Sequence, residues 1–168
     1  VVEQGSKKQV IQSKIFIGAD GASSTVARFV GKSPLRTIAA LQYEVALSAP
    51  QKHVDVYFDK DYEGGYGWFF PKGKTANVGI GVVSSKASRL PDLLQNFLDL
   101  LRESKKLSGI HVVSKTGGLI PCEFYQKNLM NNVMLVGDAA GHAHPITGAG
   151  VFHAVVGGEI AGRIAAEA

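Results

Sequence analysis

Val133-Met134-Leu135-Val136-Gly137-Asp138-Ala139-Ala140-Gly141-His142 decides how this chain is read. After Pro145 to Gly150 the same segment runs into a helix of small residues that reaches Ala168. An apolar strand that stops at Gly-Asp and feeds a glycine-rich helix start is how an α/β protein presents an acidic hydroxyl acceptor and free backbone N–H groups to a bound ligand. Asp138 therefore has two readings: it accepts from ligand hydroxyls, or it caps its own helix and receives neighbouring N–H groups.

Working outward, Ile15-Phe16-Ile17 is a second apolar strand end, followed by Gly18-Ala19-Asp20-Gly21-Ala22-Ser23-Ser24-Thr25-Val26-Ala27-Arg28. Asp20 can order the turn by accepting backbone N–H groups, and Ser23 or Ser24 can cap a short helix over 25–29. The run from Val10 to Ile17 reads as one strand entering a covered sheet. Strands are expected over 35–47, 54–58, 66–70 and 76–83, separated by Pro50, Asp59 to Asp61, Gly64-Gly65 and Lys72-Gly73-Lys74. These connections are too short for crossover helices, so the sheet is antiparallel. Leu93, Leu94, Phe97, Leu98 and Leu101 fall at helical spacing after Pro91, and residues 111–114 form a further strand.

In Tyr66-Gly67-Trp68-Phe69-Phe70-Pro71, alternation sets Tyr66, Trp68 and Phe70 on one sheet face and Gly67 and Phe69 on the other. Such rings fill a core or line a groove.

These segments, with Ala76-Asn77-Val78-Gly79-Ile80-Gly81, resemble the FAD-dependent oxidoreductases of the glutathione-reductase-like superfamily, and its geranylgeranyl reductase branch in particular. The resemblance implies a mixed α/β fold: a partial FAD-binding, Rossmann-like domain carrying an inserted antiparallel-sheet substrate domain. Residues 1–34 and 121–168 belong to the former, and 35–120 to the latter. It implies FAD contacts from Asp20, Gly21 and Arg28 near the pyrophosphate, and from Gly137 and Asp138 at the ribityl chain. Pro145, Thr147, Gly148, Ala149 and Gly150 lie along the ring, where a helix start stabilises negative charge on reduced flavin. Tyr66, Trp68 and Phe70 become the substrate wall of the active site, and 117–121 the crossing between domains.

The implied reaction is hydride transfer to isolated double bonds of a geranylgeranyl-bearing lipid, with NADPH or a ferredoxin as electron donor. A flavin monooxygenase of an aromatic or terpenoid substrate shares both aspartate motifs, and a non-catalytic flavin- or lipid-binding remnant is the third reading. The family's Gly-x-Gly-x-x-Gly loop has no counterpart before Val10. The chain is accordingly expected to be a piece of a longer flavoprotein, inactive in isolation.

Composition sets the outer bounds. The 168 residues are 45% hydrophobic, enough for a real core. A net charge of +4 suits an anionic ligand or lipid head group, but such a balance is more often just a solvated surface. No aromatic-interleaved basic stripe points to nucleic acid. Cys122 is the single cysteine, which excludes an internal disulfide. His142 and His144 beside Asp138 are poor metal-ligand geometry on a glycine-rich turn. No apolar stretch has the roughly 20 residues a membrane span needs, so the expectation is a cytoplasmic protein in peripheral contact with a membrane through its lipid substrate.

Overall fold

The computed structural model describes residues 2–168, without the side chains of Val2 and Gln4. They form two compact units. One contains the described residues up to Leu35 together with Glu123–His144 and Ala149–Ala168, and the other contains Arg36–Cys122 with Pro145–Gly148.

In the first unit, β1 (Val2–Gln4) and β2 (Lys7–Gln9) make a hairpin about Gly5, whose φ of 60° suits a two-residue turn. Only β3 (Phe16–Gly18) follows from the long strand expected over 10–17. Val10 and Ile11 stay exposed and unpaired, because the one neighbouring strand meets the chain at Phe16. After β3 comes the short helix α1 (Thr25–Phe29).

The second unit is built on a sheet of β4 (Thr37–Ala46), β5 (Asp55–Tyr57), β6 (Gly67–Lys72), β7 (Thr75–Val83) and β8 (Val112–Pro121) in the order β5-β6-β7-β4-β8. Every pairing is antiparallel. A 3-10 turn at Ser84–Arg89 leads to α2 (Leu90–Glu103), with Pro91 in its first turn, where the missing N–H costs nothing. Leu90, Leu93, Leu94, Phe97, Leu98 and Leu101 are buried against Phe69, Val78, Ile80 and Val82 of one sheet face. Phe97 sits edge-on to Tyr57 with centroids 4.9 Å apart. A side chain at Gly67 would come within 3.2 Å of Tyr62 and 3.3 Å of Phe97, so this position must stay small.

Strand β8 is longer than expected and absorbs residues 117–121. They are the second half of an edge strand paired along β4, from Val45↔Val112 to Thr37↔Pro121, rather than a passage between domains. Gly117 suits that pairing, since a Cβ there would lie 3.1 Å from the Ala40 carbonyl. The chain then returns to the first unit, where β9 (Leu129–Met130) and β10 (Val133–Leu135) complete a three-stranded sheet in the order β3-β10-β9. A 3-10 turn at Gly137–Ala140 precedes the C-terminal helix α3 (Val151–Glu167). Met134, Val136 and Ala161 form a small core there with Ile15 and Ala165. Among the described residues no helix is long and apolar enough to cross a membrane.

Candidate functional site

Strands β3 and β10 run parallel, with Leu135 opposite Gly18, so Asp20 and Asp138 follow equivalent ends of adjacent strands. A side chain at Gly18 would strike Leu135 and Val26 at under 3 Å, which keeps strand and helix close.

Asp20 is occupied by its own turn. Its carboxylate accepts from the Ser24 hydroxyl at 2.5 Å and from the N–H groups of Thr25 at 2.7 Å and Val26 at 3.2 Å. Ser24 in turn caps α1 by accepting from the Ala27 N–H at 2.8 Å. Burial pushes the Asp20 carboxyl up, but the hydroxyl and backbone donors together outweigh it and hold the group below its ordinary value. Gly21 has a φ of 80° and open space where a Cβ would stand. Arg28 is exposed and donates to Thr25 Oγ1 of its own helix at 3.1 Å.

Asp138 contrasts with this. It is half-buried in the 3-10 turn, and among the described residues none donates a hydrogen bond to its carboxylate. Burial pushes its carboxyl up, opposed by the nearby His142 imidazole. The turn is held by backbone: Gly141 N–H bonds the Asp138 carbonyl at 3.1 Å and His142 N–H bonds the Gly137 carbonyl at 3.0 Å. Gly137 and Gly141 have φ of 60° and 77°, and a Cβ at Gly141 would sit 2.3 Å from the Glu123 carbonyl oxygen. At Gly150 a Cβ would stand 3.4 Å from Asp138 Oδ1, so the glycine keeps one side of the carboxylate clear.

The sequence offered no partner for His142. Its Nε2 lies 3.2 Å from Asn128 Nδ2, while Nδ1 is buried without one. Burial lowers the imidazole below its ordinary value, assisted by His153 and opposed by Asp138. Nothing in the spacing of residues 128 and 142 signals that contact. Of the helix glycines, only Gly157 is packed closely, with its Cβ position 3.0 Å from His142 Nδ1; Gly158 and Gly162 face open space. Among the described residues no three His, Cys, Asp or Glu side chains cluster in a way that could hold a metal ion.

In the second unit Tyr66, Trp68 and Phe70 share the sheet face that α2 does not cover. Their centroids are 5.9 Å apart for Tyr66–Trp68 and 6.3 Å for Trp68–Phe70. Phe69 between them is fully buried on the other face. The Trp68 Nε1–H donates to Gln42 Oε1 at 2.9 Å, and its ring lies over Gly79, where a Cβ would be 2.2 Å from Cζ2. Half-burial raises the Tyr66 phenol above its ordinary value. Its hydroxyl donates to the carbonyl of Thr147, on the Pro145–Gly148 segment that clusters with this sheet. Gly148 has a φ of 67° and its Cβ position is 3.8 Å from Ile120. Pro145, Thr147 and Ala149 are exposed. Cys122 is half-buried, with Sγ 3.2 Å from the Arg36 carbonyl.

A mixed α/β chain with a five-stranded antiparallel sheet and aspartates at two parallel strand ends has the fold of FAD-binding flavoproteins. A crystal structure of a flavin-dependent halogenase matches it with a TM-score of 0.68 over 96% of this chain and 32% of its own, at 19% identity, a likeness of fold alone. The relationship narrows with the family model for the geranylgeranyl reductase catalytic domain, which matches residues 37–120. The chain belongs to the geranylgeranyl reductase family. The digeranylgeranylglycerophospholipid reductase of Methanocaldococcus jannaschii is 34% identical over 176 residues, covering 100% of this chain and 45% of that protein. The crystal structure of a geranylgeranyl bacteriochlorophyll reductase-like protein from Thermoplasma acidophilum matches with a TM-score of 0.75 and 31% identity over 89% of this chain and 40% of its own. The chain thus spans less than half the length of the relatives it matches.

Proposed function

We propose that the chain supplies flavin-facing and substrate-facing parts of an FAD-dependent oxidoreductase that reduces isolated double bonds of a geranylgeranyl-bearing lipid. The observation that carries this reading is the Tyr66, Trp68 and Phe70 face, which falls inside the segment matched to the reductase catalytic domain. An isoprenoid chain has no polar handle along its length, so a continuous apolar and aromatic wall is the surface that holds it.

The residues present fit FAD. Asp138 is a half-buried acceptor with no donor from the described residues, flanked by Gly150, which suits the hydroxyls of a ribityl chain. Asp20, Gly21 and Arg28 belong to the pyrophosphate side, where Asp20 acts by shaping the turn. Gly137 starts the ribityl-side turn. Pro145, Thr147, Gly148, Ala149 and Gly150 form the ring-side loop ahead of α3. In this division 1–34 and 121–168 serve the cofactor and 35–120 the substrate. When bound and reduced, the flavin would supply hydride to one carbon of a carbon–carbon double bond, the other carbon taking a proton from solvent, with NADPH or a ferredoxin as the upstream reductant. Such bonds are weakly polarised, so the wall contributes chiefly by orienting the chain and excluding water. The Tyr66 phenol donates its O–H to the Thr147 carbonyl, which gives this ring a positioning role.

The test is the reaction. Anaerobically reduced full-length protein should be reoxidised by a geranylgeranyl lipid, giving by mass spectrometry a product heavier by two hydrogens per double bond reduced. Incorporation of an oxygen atom would identify a monooxygenase instead. At residue level, Trp68→Ala should impair turnover of the prenyl lipid while sparing the flavin spectrum and most of the thermal stability. Phe69→Ala, on the buried face, should cost about 3–5 kcal/mol of stability. Equal melting losses for the two would place Trp68 in the core.

A further inference from the structure

The uncovered face of the five-stranded sheet changes character along its strands. At the Tyr66 end, the neighbouring positions across the sheet are Gly81, whose N–H bonds the Tyr66 carbonyl at 3.0 Å, then Ala40 and Gly118. They offer backbone and small apolar surface. Two residues along, Trp68 lies over Gly79. At Phe70 the row becomes Asn77, Glu44 and Ser114, and Lys72 and Thr75 stand beyond it.

The polar end is an ordered network. The Glu44 carboxylate accepts from Thr75 Oγ1 at 2.8 Å, from Lys72 Nζ at 3.0 Å and from Ser114 Oγ at 3.3 Å. Three of its acceptor positions are thereby used and it is held in one orientation. The ammonium of Lys72 has three N–H donors, of which Glu44 takes one, and its side chain is 49% exposed. The Asn77 amide stands in the row beside it. What this end has to offer is therefore donors, on a cation whose charge is already balanced. That chemistry fits hydrogen-bond-accepting oxygens, such as those of a phosphate ester or a glycerol.

We propose that the Lys72 end of this sheet face binds the oxygen-bearing head of the prenyl lipid, with the hydrocarbon laid along Phe70, Trp68 and Tyr66. The inference rests on the lipid-reductase reading above. Tyr66 immediately precedes β6 and Lys72 ends it, six residues further on and about 20 Å away at 3.3–3.4 Å per residue, the scale of an extended chain of several isoprene units. Thr147 accepts from Tyr66 at the opposite end, so the head lies away from the ring-side loop and the tail runs toward it.

Equilibrium binding to the full-length protein tests this with three C20 prenyl probes in the same detergent micelles: geranylgeranyl diphosphate, geranylgeranyl glycerol ether, and a tetraene hydrocarbon with no oxygen. At least one headed probe should bind about tenfold or more tightly than the hydrocarbon, the scale of one charge-assisted hydrogen bond. Lys72→Met should remove most of that margin while leaving hydrocarbon affinity within about twofold, and Lys72→Arg, which keeps the donors, should retain it. A margin confined to the diphosphate identifies phosphate oxygens as the group read, and one confined to the ether identifies glycerol oxygens. Equal affinity for all three probes, or a uniform loss in Lys72→Met, overturns the head-group site and leaves the lipid reading standing. A wild-type protein that binds none of the three overturns both.

Discussion

Asp20 and Asp138 follow adjacent parallel strands of one small sheet, each beside a glycine and ahead of a helix, and they end in opposite chemical states. Asp20 is exposed yet accepts three hydrogen bonds from its own turn and helix start. Asp138 is more enclosed yet accepts none from the described residues. The difference follows from what comes next in the chain. Ser24, Thr25 and Val26 fold back as the first turn of α1 within six residues of Asp20, bringing a hydroxyl and two N–H groups to its carboxylate. After Asp138 a 3-10 turn and a glycine-rich loop delay α3 until Val151, and although Gly150 at the start of that helix lies beside the carboxylate, none of the described N–H groups there donates to it. One residue type at two equivalent strand ends thus organises the backbone in the first case and is left available to a ligand in the second.

The largest effect expected from this contrast is on cofactor affinity. Asp138→Ala in the full-length protein should lose hydrogen bonds to the ribityl hydroxyls worth roughly 1–3 kcal/mol, or about 5- to 150-fold in FAD dissociation constant. The melting temperature of the FAD-free protein should stay within a degree or two, since no described partner is abandoned and even a one-kcal change moves a domain of this size by only about 2–4 °C. Titration of the apoprotein with FAD, paired with thermal melts, gives both quantities. Unchanged affinity with a clear loss of stability would make Asp138 a second Asp20.

The converse substitution should split the other way. Asp20→Ala frees the Ser24 hydroxyl and the Thr25 and Val26 N–H groups, and the loss should be about 1–2 kcal/mol of stability, the range of a helix cap, held toward its lower end by solvent exposure. Any decline in FAD affinity should then be small and should be recovered at lower temperature, where α1 is intact. A large affinity loss with unaltered melting would move Asp20 to the ligand.

How far the sequence carried this contrast depends on the distance over which partners are drawn. The Asp20 turn, the Ser24 cap and α1 were legible because every group involved lies within a few residues. The alternation of Tyr66, Trp68 and Phe70 was legible for the same reason, as was the leucine spacing of α2. Asp138 stayed open between two readings, since what decides it is the absence of a donor after the chain has folded. Other features escaped local reasoning. Hairpin β1–β2 pairs polar residues with no apolar alternation, leaving Gly5 as its one signal. Residues 117–121, which the resemblance assigned to a crossing between domains, form the second half of β8, because nine residues of β4 supply the ladder that holds that strand. The Glu44 network joins residues 31 and 70 positions away, and Asn128 meets His142 across 14, separations for which sequence spacing carries no rule.

The smallest expected effect is also the one with the sharpest sign. The Asp20 carboxyl is held below its ordinary value in the folded chain, so the folded state binds fewer protons than the unfolded one in that range. Its contribution to stability is present above the ordinary carboxylate range and is lost as pH falls through its lowered folded value. Asp138 is raised, so its ionised form is the disfavoured one in the fold. Its contribution is unfavourable at neutral pH and is relieved as pH falls through the raised folded value toward the ordinary one. Protonation of His142 supports the Asp138 anion and reduces that relief without changing its sign. Thermal melts of FAD-free wild type, Asp20→Asn and Asp138→Asn between neutral pH and about pH 4 should therefore diverge in opposite directions. Relative to wild type, Asp20→Asn should be less stable at neutral pH and converge from below on acidification, whereas Asp138→Asn should be equal or slightly more stable at neutral pH and converge from above. Two curves approaching wild type from the same side would mean that the two strand ends are electrostatically alike.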